Sequence, residues 1–168
     1  MAKHPAPSLS FVLMHPAHFI ACGCGSGLSP FAPGTAGTLF AWLCYPGLRQ
    51  YFVSDASFAV FLLVAFVLGV SACHVTGQKL GVVDHGSIVW DEIVPFWAAL
   101  FLAPPTFLWQ FAAFLWFRFY DITKPWPASY FDQEVKNGLG VLMDDVIAAG
   151  YTVLTLAVFK VASAYWFG

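Results

Sequence analysis

Charge is what this sequence has least of. Lys, Arg, Asp and Glu make up 10% of the 168 residues, against about 25% in an ordinary soluble domain. A soluble chain of this size buries only about 70% of its unfolded surface. With 60% hydrophobic residues, a mean hydropathy of +0.74, 18 Phe, 7 Trp and 6 Tyr, too much apolar surface remains for water. The expected solvent is the bilayer, and 1–168 reads as a single membrane-embedded domain with room for about four to six segments of about 20 residues. A basic excess is missing as well. The net charge of −2 and pI near 6.1 argue against nucleic acid as a partner, because such binders usually carry a positive patch.

Paired cysteines are absent. Cys22, Cys24, Cys44 and Cys73 form no CxxC spacing, which disfavours a disulfide framework, and His15 and His18 with Cys22 and Cys24 fit no standard zinc spacing. The run after Lys3 is broken by Pro7, His15, Pro16 and His18, a poor signal region, so the N-terminus reads as retained. No Cys-x5-Arg loop, Asp-x-Asp pair or G-x-S-x-G elbow occurs, which disfavours those covalent mechanisms.

What is present is long apolar stretches with clear punctuation. Gly and Pro between Gly23 and Thr35 prevent a continuous helix there. Ala36 to Val53 and Ala56 to Thr76 then read as two helical segments. Ile93 to Phe117 carries no charge and would cross once as a straight helix, but Pro104-Pro105 removes two backbone donors and disfavours helix in the preceding residues. The alternative is a helical hairpin, Ile88 to Ala103 going in and Thr106 to Asp121 returning, each arm about 24 Å long. Val146 to Phe167 is the last apolar segment. The hairpin puts Lys3, Lys79, Arg118, Lys124 and Lys136 on one face and Arg49 and Lys160 near the other, as the positive-inside rule prefers. The expected fold is all-α: a polytopic membrane helical bundle with a hairpin broken at Pro104-Pro105 and a carboxylate site at the interface.

Asp55 is the one acid outside the stretch from Asp84 to Asp145. Carboxylates at the ends of membrane segments are costly and invite a functional reading. Asp84, Asp91, Glu92, Asp121, Asp144 and Asp145 offer hard oxygen ligands suited to Mg2+. The competing reading is that interfacial acids solvate helix ends. Arg118, Asp121 and Lys124 follow a spacing of three, so the cations fall near a carboxylate on one helical face. Such cations are what an anionic phosphate needs; a simple i,i+3 salt bridge is the bland alternative. His85, beside Asp84, is a candidate proton shuttle. The Gly-rich stretch leads to a helix start where Ser26, Thr35 and Thr38 and the backbone N–H groups can cradle an anion, although it lacks the GxxxxGK[ST] pattern.

Four motifs occur in order: GSGLSPFAPGTAGT at 25–38, DHGSIVWDE at 84–92, FRFYDITKPWP at 117–127 and DDVIAAG at 144–150. In these the chain strongly resembles the phosphatidylglycerophosphatase A family over about residues 17 to 165. Pro95 departs from the family pattern, which usually has Gly after the Asp-Glu pair. The resemblance implies a Mg2+-dependent lipid phosphatase of the bacterial inner membrane, multi-pass with its site facing the cytoplasm. It would convert phosphatidylglycerophosphate to phosphatidylglycerol. Asp84, His85, Asp91, Glu92, Asp121 and Asp145 are then the candidate catalytic residues. Arg118, Lys124, Ser26, Thr35 and Thr38 would bind substrate, and the metal would be held by some of Asp84, Asp91, Glu92, Asp121, Asp144 and Asp145. An activated water and an aspartyl-phosphate route stay equally open. The reading from another class is a small cation transporter or channel subunit, which predicts acids spread through membrane depth.

Overall fold

A computed structural model of the chain describes residues 5–167, and the fold is all-helical; Lys3 lies outside the described residues. Two short helices come first, α1 (Leu9–Met14) and α2 (Pro16–Ala21). Local capping explains both: Ser8 Oγ accepts the Phe11 N–H at 3.3 Å, and His15 Nδ1 accepts the Ala17 N–H at 3.1 Å. A 3-10 turn, Gly23–Leu28, follows, broken by positive φ at Cys24 and Gly25. Then come α3 (Pro33–Arg49), α4 (Asp55–Leu80), α5 (Trp90–Leu102), α6 (Phe107–Thr123), α7 (Ala128–Glu134) and α8 (Gly138–Phe167).

The observed limits differ from the expected ones where capping chemistry intervenes. Helix α3 begins at Pro33 rather than Ala36, because proline suits the first helical position. The α4 segment extends to Asp55–Leu80, opened by a reciprocal Ser54–Ser57 capping box and closed by left-handed Gly81. The largest difference is in α8, which starts at Gly138 and not at Val146. Asp144 and Asp145 therefore lie inside this helix, buried, rather than at its end. Pro104-Pro105 falls between α5 and α6, and Pro95 is accommodated within α5.

Helices α4 and α8 are long and apolar enough to cross a membrane, and only 28% and 22% of their most apolar stretches are buried within the protein. Core helices of a soluble protein would be mostly covered. Val60, Leu63, Val64, Val67 and Leu68 on α4 and Leu154, Val158 and Val161 on α8 point outward. These outward apolar faces mark a membrane protein.

The core forms where α3, α4, α5, α6 and α8 meet, around the fully buried Phe58, Phe96, Phe117, Ile93 and Leu100. Tryptophans join the helices while satisfying their N–H groups. Trp97 Nε1 donates to the Ala41 carbonyl on α3 at 2.9 Å, and Trp90 Nε1 donates to the Ala65 carbonyl on α4 at 3.1 Å. Gly69 permits the second contact, because a Cβ there would lie 2.5 Å from the Trp90 ring. Gly150 on α8 has open space at the same position. Gly69→Ala should therefore destabilise by about 1–3 kcal/mol through overpacking, whereas Gly150→Ala should be neutral or stabilising by up to about 1 kcal/mol through helix propensity. Thermal melting of the two variants in detergent checks the contrast.

Candidate active site

Four separate pieces of chain meet at one end of the bundle. Asp91 and Glu92 occupy the first turn of α5, where the positive end of the helix dipole favours negative charge. Both are buried, as are Asp144 and Asp145 in the second and third turns of α8. Arg118 and Asp121 lie one turn apart near the end of α6, and Lys124 closes that helix in a left-handed conformation. The beginning of α3 supplies Gly34 and Thr38.

One oxygen from each of Asp91, Glu92 and Asp145 lies within 4.8 Å of the other two. Such proximity of like charges away from bulk water is unfavourable unless a cation compensates. Arg118 supplies part of that compensation. Its Nη1 is 2.5 Å from Asp121 Oδ2 and 3.7 Å from Glu92 Oε1, and it donates to Thr38 Oγ1 at 3.3 Å. Thr38 in turn donates to the Gly34 carbonyl at 2.9 Å, so α3 orients the guanidinium. Among the described residues, the buried side-chain atoms Glu92 Oε2, Asp145 Oδ1 and Arg118 Nε have no hydrogen-bond partner. Two acceptors and one donor are thus left over beside one another's residues, an arrangement that suits a bound cation and a bound anion better than an empty protein interior.

A second cation lies beside the first group. Lys124 Nζ pairs with Asp132 Oδ1 at 2.7 Å and also with Asp144 Oδ2. Burial opposes its positive charge, but the Asp144 and Asp132 carboxylates outweigh that and raise its pKa. Asp84, Asp132, Lys136 and Asp144 line a shallow pocket, with Asp84 exposed at its rim. Because Asp144 and Asp145 are adjacent on α8, the two groups form one polar tract.

The six carboxylates expected as ligands, together with Arg118, Lys124 and Thr38, are thus on this tract. Other candidates are engaged differently. His85 is buried, and its Nδ1 accepts the Ser87 N–H of its own turn at 3.1 Å. Ser26 Oγ donates to the Gly23 carbonyl at 2.8 Å, within its own loop, and Thr35 occupies the first turn of α3. Asp55 is remote, paired with Arg49 at the start of α4. Two further participants, Asp132 and Gly34, are not among the site residues expected from the sequence. Asp132 reaches Lys124 only because α7 folds the chain back, and Gly34 lies so close to Glu92 that an added Cβ would collide with the carboxylate.

A family profile for phosphatidylglycerophosphatase A matches residues 19–160. The chain belongs to that family. It is 42% identical over 162 residues to phosphatidylglycerophosphatase A of Haemophilus influenzae, covering 95% of this chain and 96% of the relative. With phosphatidylglycerophosphatase A of Escherichia coli it shares 38% identity over 159 residues, covering 92% and 87%. A Bacteroides thetaiotaomicron relative with a provisional phosphatidylinositol-3-phosphatase name is 37% identical over 149 residues, covering 84% and 91%. No solved structure matches the chain. Phosphatidylglycerophosphatase A enzymes are phosphoric monoester hydrolases, and the polar tract is the candidate place for that chemistry in this chain.

The contact at Gly34 makes a sharp expectation. Gly34→Ala should lower phosphatase activity by at least about tenfold, since small displacements of catalytic groups are costly. Gly86→Ala, whose Cβ would meet open space, should leave it nearly unchanged. Initial rates of phosphate release at equal expression check both.

Proposed function

We propose that this chain hydrolyses the terminal phosphomonoester of phosphatidylglycerophosphate, releasing phosphate and phosphatidylglycerol in phospholipid biosynthesis, with Mg2+ as cofactor. The observation that carries the reading is the meeting of Asp91, Glu92 and Asp145 oxygens within 4.8 Å beside Arg118 and Lys124. Family membership supports the reaction class.

The residues fit a hard divalent cation. Glu92 Oε2 and Asp145 Oδ1 are buried oxygens without a hydrogen-bond partner, and an all-oxygen donor set is what Mg2+ takes. Asp91, Glu92 and Asp145 would hold it, with Asp121, Asp144 and Asp84 near at hand. When bound, Mg2+ supplies charge neutralisation at the phosphoryl group and a more acidic water.

The protein's own groups supply the rest. Arg118 keeps Nε unpartnered in the site, a donor for a phosphoryl oxygen whose negative charge the surrounding carboxylates would otherwise repel. Thr38 fixes the plane of that guanidinium by accepting from Nη1. Lys124 adds a second positive charge and holds Asp132 and Asp144 in place. Asp84, at the exposed rim, can exchange protons between the tract and water. The outward apolar faces of α4 and α8 leave the acyl chains in lipid, so only the head group enters the polar tract. A cation-transport reading needs acids through the depth of the membrane, whereas these gather at one end of the bundle.

In this reading α5 and α6 form a hairpin whose turn at Pro104-Pro105 faces the far side of the bacterial inner membrane, and the carboxylates face the cytoplasm. Single cysteines at Thr106 and Gln133, both exposed, in an otherwise cysteine-free protein should react oppositely with an impermeant reagent on sealed, oriented vesicles. Equal reaction would contradict the hairpin.

The activity itself is tested with purified protein and phosphatidylglycerophosphate. Phosphate release should stop in excess chelator and return with Mg2+, and phosphatidylinositol 3-phosphate should be the poorer substrate. Asp91→Asn, Asp121→Asn and Asp145→Asn should each lower turnover by at least about 100-fold, because several kcal/mol of transition-state stabilisation depend on the carboxylates. Asp55→Asn should do little. Full turnover in chelator, or equal damage from Asp55→Asn, would contradict the proposal.

A further inference from the structure

A groove of about 480 Å3 that shares no lining residue with the carboxylate tract lies between α1, α2 and the last turns of α4. Met14, His15, His18, Val75, Gln78 and Lys79 line it. This lining has positive and hydrogen-bonding groups and no carboxylate. His15 Nδ1 accepts the Ala17 N–H, so a neutral His15 ring carries its proton on Nε2 and can donate from there. The His18 ring is held on two sides. It stacks on Phe11 with centroids 4.3 Å apart, and its Nδ1 lies 2.9 Å from Thr76 Oγ1. Lys79 is exposed in the last turn of α4.

The surroundings of the groove are apolar and open. Leu9, Leu13 and Met14 on α1 are exposed while Val12 is buried, and Val67, Leu68 and Val75 are exposed along α4. A small amphipathic helix beside an outward apolar face belongs at the boundary between acyl chains and head groups.

We propose that this groove binds the head group of an anionic phospholipid, as a lipid site separate from the carboxylate tract. Lys79 supplies the positive charge, and His15, His18 and Gln78 supply hydrogen bonds to phosphate and glycerol oxygens. Burial first, then the nearby His15 and Lys79, lowers the pKa of His18, which favours the neutral, hydrogen-bonding form of the ring. Two features decide the ligand class. The apolar rim favours a lipid over free phosphate. The absence of a carboxylate in the lining leaves nothing to neutralise the ammonium of a zwitterionic head group, which favours an anionic lipid.

Methionine methyl resonances separate this groove from the carboxylate tract. The chain has three methionines, Met1, Met14 and Met143; Met14 lines the groove and Met143 adjoins Asp144. The full chain, labelled with 13C at the methionine methyls, would be titrated in zwitterionic micelles with short-chain phosphatidylglycerol, short-chain phosphatidylcholine or inorganic phosphate. Phosphatidylglycerol should move the Met14 resonance saturably, and the other two should not. Lys79→Gln should weaken that response at least about fivefold. Because Lys79 is exposed, this change removes charge without removing core packing, and an unmoved Met143 resonance in the ligand-free variant reports the intact fold. His15→Gln should weaken the response further. An equal response to phosphatidylcholine, a response reproduced by inorganic phosphate, or an undiminished response in Lys79→Gln would overturn the proposal. The measurement reads binding without turnover, so its failure leaves the phosphatase reading standing.

Discussion

The cost of keeping carboxylates near one another at the edge of an apolar phase governs this structure. Three carboxylate oxygens within 4.8 Å repel strongly where water is scarce, and a buried charge left without a partner is destabilising by several kcal/mol. Arg118 and Lys124 each bridge two carboxylates, the first joining Glu92 and Asp121 and the second joining Asp132 and Asp144. Among the described residues neither Lys nor Arg pairs with Asp91 or Asp145. The remaining charge is what a divalent cation would balance, and the same uneven compensation gives a phosphate a place to bind.

The architecture follows from that requirement. Both cations belong to the end of α6, whereas their partners come from α5, α7, α8 and α6 itself, so those helices must converge at one end of the bundle. Glycine at position 34 lets the start of α3 approach Glu92 closely, and Thr38 then reaches Arg118. The long α4 and α8 present apolar surface outward, while the shorter α5 is buried along most of its length. Polar chemistry and membrane contact are thereby separated within a small chain.

Much of this arrangement was readable from residues alone. The helical class and the Pro104-Pro105 break follow from hydropathy and proline chemistry, and the rarity of charge singles out Asp84, Asp91, Glu92, Asp121, Asp144 and Asp145 as candidates. The start of α8 lies before the expected Val146: the Asp144-Asp145 pair resembles a polar segment end, but inside the helix these acids are supported by Lys124 and the opposing groups of the tract. The Lys124–Asp132 pair has no local pattern, because the Pro-rich 125–127 stretch has no periodicity to show that α7 returns the chain. Gly34 belongs by sequence to the Gly-rich anion-cradling stretch, and its tight approach to Glu92 depends on how α3 and α5 pack, which no local pattern encodes.

The converging carboxylates are the proposed divalent-cation site. Its most direct measurement is equilibrium binding of Mn2+, a paramagnetic stand-in for Mg2+, followed by electron paramagnetic resonance in the purified protein without substrate. Saturable binding that Mg2+ displaces, that is lost in Asp145→Asn and that persists in Asp55→Asn is the expected result. No saturable binding, or equal binding by those two variants, would contradict the account.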